Sequence, residues 1–145
     1  MRQSLSEKSS ASSPAVLAAV VLSVALTVAA VIDQSGGQAL VEHAEAAYAS
    51  YGKAPSAGLL YGLLHTVAVV NVLLWLVVFG VARSKRRAAG VLAVIAVLIS
   101  ASVAVVLLTA SEYGERIFPP LWGVLAILPA VAGAFATARL FRRAS

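Results

Sequence analysis

His65, Asn71 and Trp75 stand in a long apolar run, and each carries a polar atom that needs a partner there. An ionisable ring inside such a run, as at His65, is a candidate for a proton relay, a ligand contact or axial ligation of a haem. Its structural role is that of a neutral ring bonded to Tyr61, one turn away, or to a neighbouring helix. Asn71 can make an interhelical hydrogen bond worth about 0.6–2 kcal/mol, or meet the polar head of a bound quinone or lipid. Trp75, one turn further on, can stack on such a ligand or simply pack. These three are the candidate ligand-binding residues. A haem held by two histidines would need His43, which lies in a connecting segment, so no cofactor is expected.

Other chemistry has little to work with. The chain has no cysteine, which excludes disulfides, thiolate metal sites and cysteine nucleophiles. Glu42, His43 and Glu45 are the one cluster of metal-ligand types. Glu42 and Glu45 share a helix face while His43 points elsewhere, so the cluster reads as a solvated face and no metal is expected. There is no phosphate-binding glycine loop and no HExxH pattern. No apolar run carries the central carboxylate of a proton-coupled pump. The chain is not expected to be an enzyme.

The elements that position these residues follow from composition. Of 145 residues, 61% are hydrophobic and 12% charged, with a mean hydropathy of +0.93. A water-soluble domain carries about a quarter charged residues. The expected fold is therefore all-α: a four-helix transmembrane bundle in one domain, residues 14–143, behind a Ser-rich disordered cytoplasmic tail at 1–13. The spans are expected at about 15–32, 57–82, 88–110 and 119–138. The first, 18 residues long, reaches roughly 27 Å at about 1.5 Å per residue. A signal peptide is the rival reading of that run, but its apolar stretch is longer than a signal needs.

Between the first two spans, Asp33 to Gly37 read as a helix stop and turn. Leu40, Val41, Ala44, Ala47, Tyr48 and Tyr51 then recur at helical spacing, which predicts a short amphipathic helix in the first outer loop. Residues 111–118 form the second outer loop. Pro119 and Pro120 open the last span, and Pro129 inside it should kink it.

The basic turn Arg83-Ser84-Lys85-Arg86-Arg87 gives the orientation. Together with the two tails it holds nine of the eleven Lys and Arg residues, whereas the other two loops hold five of the six acids. Positive residues stay inside, so both termini and the basic turn are expected inside. Anionic lipid head groups are compatible neighbours for these cations.

Helix packing in lipid depends on close backbone approach at small residues. Gly123, Ala126, Ala130, Gly133 and Thr137 form one stripe, and Ala89, Ala93, Ala96, Ser100 and Ala104 another. These two should meet. Gly58 and Gly62 make a further small pair, with His65 continuing the face. Ser23, Thr27, Ser100, Ser102 and Thr109 can bond back to their own helices. The segments around Tyr51-Gly52 and Tyr113-Gly114 share a tyrosine, a glycine, a proline and an aromatic-Gly step, which two parallel hairpins or ordinary interface chemistry would both produce.

Tyr113-Gly114, Pro119-Pro120-Leu121-Trp122-Gly123, Leu128-Pro129-Ala130-Val131-Ala132-Gly133 and the terminal arginines resemble a group of small uncharacterised four-span membrane proteins of actinobacteria. More distantly the chain resembles DoxX-like proteins, which implies four spans and a link to membrane redox functions. Eight Arg to three Lys fits a GC-rich genome. The expected role is that of a non-enzymatic assembly or interaction protein of the bacterial plasma membrane. The alternative is a lipid- or quinone-binding accessory subunit of a membrane redox system. A transporter would need an oligomer to form its path. Expected partners are the bilayer, further copies of the chain or another membrane protein, and not nucleic acid.

Overall fold

The computed structural model describes residues 13–142. Residues 1–12 of the expected 1–13 tail lie outside these residues, as does Arg143, and Ser13 already belongs to the first helix. Four helices are long and apolar enough to cross a membrane. They are α1 (Ser13–Ser35), α3 (Ala57–Ala82), α4 (Arg86–Thr109) and α5 (Pro120–Arg142). A short helix, α2 (Ala39–Tyr48), and a 3-10 turn (Ala49–Tyr51) join α1 to α3.

Two connections differ from the sequence expectation. α1 does not stop at Asp33 but runs on through Ser35, whose hydroxyl donates to the Val31 carbonyl at 2.7 Å. The chain then turns at Gly36–Gln38, with Gln38 in the left-handed region (φ 52°). The second connection is not a plain loop. Two-residue strands β1 (Ser111–Glu112) and β2 (Glu115–Arg116) pair antiparallel around Tyr113-Gly114. Both turn residues have positive φ, 55° and 87°, which is the twist that closes a two-residue hairpin.

The four long helices form a ring. α1 packs on α3 and α5, α4 packs on α3 and α5, and the α4–α5 interface is the most extensive. That interface is built from small residues. Ala89, Ala93, Ala96, Ser100 and Ala104 of α4 are buried, as are Gly123, Ala126, Ala130 and Gly133 of α5. Glycine is required at two of these positions by close approach. A Cβ on Gly123 would overlap the Leu108 side chain of α4, and one on Gly133 would fall within the Trp75 ring of α3.

The core is two apolar clusters with a polar layer at their border. One lies toward α2 and includes Leu26, Leu40, Tyr61, Leu64, Leu107 and Trp122. The other lies toward the 83–85 turn and includes Val16, Val20, Trp75, Val78 and Leu140. The buried polar residues among those described are Ser23, Asn71 and Ser100. Each falls, along its own helix, between residues of the two clusters. Pro129 is buried on α5 near this level, and the helix continues through it.

The outer surface of the ring is apolar. Leu17, Val21, Val28, Leu63, Leu73, Leu98, Val106, Leu121 and Phe135 are all exposed. A surface this continuous in apolar groups belongs in lipid rather than water. Charges collect at the two ends. Arg83, Lys85, Arg86, Arg87, Arg139 and Arg142 lie at one, and Asp33, Glu42, Glu45, Glu112 and Glu115 at the other.

Candidate functional site

Asn71 and Trp75 lie in the interior. Asn71 is buried on α3, and its Nδ2 donates to the Val67 carbonyl one turn back at 3.0 Å. Its Oδ1 accepts from the Ser100 hydroxyl of α4. Ser100 therefore does not bond back to its own helix, as its type alone suggests. Ser23 and Thr109 do, to the Ala19 and Val105 carbonyls. The Asn71–Ser100 bond joins two helices in the middle of the bundle, where a free amide has no water to turn to.

Trp75 is fully buried, with its ring reaching across the bundle to Gly133 on the diagonally placed α5. Its indole Nε1 meets no hydrogen-bond partner among the described residues. The ring is fully enclosed, and it is not an open stacking platform.

His65 is half-buried and does not join Asn71 and Trp75. Its Nε2 lies 3.1 Å from Gln34 Oε1, at the C-terminal end of α1. The bond to Tyr61 that its spacing allows is absent, because the Tyr61 hydroxyl donates instead to Asp33 Oδ2 at 2.7 Å. The three candidate ligand residues therefore occupy two separate environments.

Asp33 is the residue that sequence reasoning passed over. It is helical in α1, yet its carboxylate reaches forward to accept from the backbone N–H groups of Ala39 and Leu40 at 2.9 and 3.1 Å. These are first-turn donors of α2 with no partner inside that helix. Gln38, at the cap position, offers no side-chain bond to them. One carboxylate thus ties α1, α2 and α3 together. The signal was an acid six residues before a helix start, beyond the usual capping distance.

The α2 segment and the hairpin interlock. Tyr51 and Tyr113 stack with ring centroids 4.2 Å apart, and Tyr48 meets Tyr113 edge-on at 6.0 Å. The Tyr48 hydroxyl donates to Glu112, Lys53 donates to the Tyr113 hydroxyl, and His43 Nε2 lies 2.9 Å from the Arg116 carbonyl. The bond to the Glu112 carboxylate raises the Tyr48 pKa, helped by desolvation and the carboxylate's charge. The bond to Tyr113 raises that of Lys53. Tyr51 reaches this cluster from the 3-10 turn, not from the apolar face of α2, which buries Leu40, Val41 and Ala44. Glu42 and Glu45 are exposed, and no three metal-ligand side chains converge among the described residues.

Gly58 and Gly62 pack against no other helix among the described residues. They face outward on α3, where an added Cβ at Gly62 meets nothing within 4 Å among the described residues. At the position matching Gly62 in the other hairpin, Gly123 is packed against α4. The two halves thus differ where their sequences look most alike.

Four apolar helices in a helical chain, ringed by exposed apolar side chains, mark a multi-pass membrane protein. No family model matches the chain, and no curated protein or solved structure is significantly similar to it.

Proposed function

We propose that this is a non-enzymatic membrane protein that works by associating with further copies of itself or with another membrane protein. The observation that carries the reading is the outward Gly58–Gly62 pair, a close-approach surface on which no other helix packs among the described residues. Such pairs let two backbones approach in lipid, where apolar side chains by themselves give little preference for protein over lipid.

The alternative, a quinone or lipid held by His65, Asn71 and Trp75, has less support. Asn71 is already bonded to Ser100, Trp75 is closed against Gly133, and His65 stands apart from both. The segregation of charge supports an arrangement with both termini and the 83–85 turn inside, and with α2 and the hairpin as an outer cap. A bacterial plasma membrane and kinship with the actinobacterial four-span proteins remain parts of the same proposal, resting on the residues quoted for them.

The test is oligomeric state in lipid nanodiscs, read by single-molecule photobleaching. Wild-type protein should give multi-subunit particles and Gly62→Leu mostly single subunits, with unchanged helicity. Single-subunit wild-type particles that carry no second protein from native membranes would sink the reading. Cysteine labelling from either side, in a chain with no native cysteine, reads the orientation. Label reaching Ser84→Cys from outside would reverse it.

A further inference from the structure

We infer that the α4–α5 face at the basic end holds an anionic phospholipid, with its phosphate between Arg87 and Arg142 and one acyl chain in the groove beneath them. The groove has a volume of about 290 Å³ and is lined by Val94, Val97 and Leu98 of α4 and Ala134, Thr137 and Ala138 of α5. It exists because α5 presents two alanines there, which leave room between flanking larger side chains. Its walls ask for no polar partner. The one hydroxyl among them, on Thr137, is already donated to the Gly133 carbonyl at 2.8 Å.

Both arginines sit at the basic end of the same groove. Arg87 lies two turns before Val94 on one face of α4, with exposed Val91 between them. Arg142 lies one turn after Ala138 on the matching face of α5. The two helices are in contact near these arginines: the Phe141 ring of α5 lies 3.1 Å from where a Cβ on Gly90 of α4 would stand. Both arginines are exposed, and Lys85 and Arg139 lie nearby in sequence and are also exposed. Every acid among the described residues is at the opposite end of the bundle.

The helix itself adds to the attraction for phosphate. α4 begins at Arg86, carries no acid in its first turn, and its cap residue, Lys85, makes no side-chain bond to the first N–H groups. Arg87, a cation in the first turn, opposes the helix dipole, and an anion beside it removes that penalty. An apolar groove with an exposed arginine beyond its end on each helix matches a phosphodiester on an acyl chain better than either part matches a free ion.

The inference rests on the chain being embedded in a bilayer, and it is independent of self-association. Full-length protein would be titrated with phosphatidylglycerol or phosphatidylcholine of identical chains, and bound lipid read by native mass spectrometry. Phosphatidylglycerol should bind more tightly. Arg87→Gln with Arg142→Gln should remove roughly thirtyfold of that affinity, at about fivefold per cation. Ala138→Leu should weaken both lipids by closing the groove, and inorganic phosphate should not displace the lipid. Equal binding of the two lipids, or no effect of the arginine pair, overturns the site. An Ala138→Leu protein that binds as wild type leaves only a surface charge effect and overturns the groove. Displacement by inorganic phosphate at lipid-like concentration would assign a free-phosphate site instead. Subunit number should not change in any of these variants, which separates this result from the association reading.

Discussion

Trp75 occupies the space that a side chain at Gly133 would need: the far edge of its indole ring overlaps the position of a Cβ there. The two residues come from α3 and α5, diagonal members of the ring, so one contact sets the width of the bundle at this level. Gly133→Ala should therefore force α5 or the ring to move and cost about 1–3 kcal/mol. Trp75→Phe in the same background should recover part of that loss, because the smaller ring no longer reaches as far. Unfolding in detergent mixtures checks this. Equal stability of Gly133→Ala and wild type would show that the ring has somewhere else to go.

The Asn71–Ser100 bond should be the main polar link between α3 and α4. Removing either partner is expected to cost about 0.6–2 kcal/mol. Because one bond is shared, the double variant Asn71→Ala with Ser100→Ala should lose less than the two single losses combined. Strict additivity in a double-mutant cycle would show that the two side chains do not interact.

Asp33 should govern the order of α2 more than the stability of the four long helices. Its carboxylate accepts from Ala39, Leu40 and Tyr61. Asp33→Ala leaves first-turn donors without a cap, at about 0.5–2 kcal/mol. Hydrogen exchange in 39–48 should rise by roughly two- to thirtyfold, while exchange in α4 stays unchanged. Tyr61→Phe removes one of the three bonds and should give a smaller rise.

The tyrosine cap should loosen in alkali. Tyr48 and Lys53 both titrate higher in the folded protein than their ordinary values of 10.0 and 10.5. A raised folded pKa gives stability that is fully present below the unfolded value and is lost as pH rises through the folded one. The contacts between α2 and the hairpin should thus hold at neutral pH and weaken above about pH 10. Amide exchange or near-ultraviolet dichroism of the tyrosines would follow this. Glu112→Gln should remove the carboxylate-dependent part of the rise at Tyr48, and a cap that opens near pH 7 would contradict the assignment.

Much of this was legible from residue types alone. Hydropathy located four helices, since a run of about 20 apolar residues has few other places to go. Small residues every three or four positions marked the α4 and α5 faces, because that spacing follows from the helix repeat. The positions of the charges along the chain placed the acids of the two connecting loops at one end of the bundle and the basic residues of the 83–87 turn and the end of α5 at the other. These properties are local or periodic, so they survive without knowledge of which helix meets which.

Partner choice was not legible, and only the tertiary structure decided it. Tyr61 is one turn from His65 in sequence, but Asp33 takes its hydroxyl, because the end of α1 comes to lie beside the start of α3. Ser100 bonds across to Asn71 although its own helix offers a carbonyl. Gly62 and Gly123 follow similar aromatic-Gly steps, yet one faces outward and the other is packed on Leu108. In each case the deciding quantity is a distance between segments far apart in the chain. A residue's type and spacing state what it can bond to, and only the packed helices determine which of those groups is within reach.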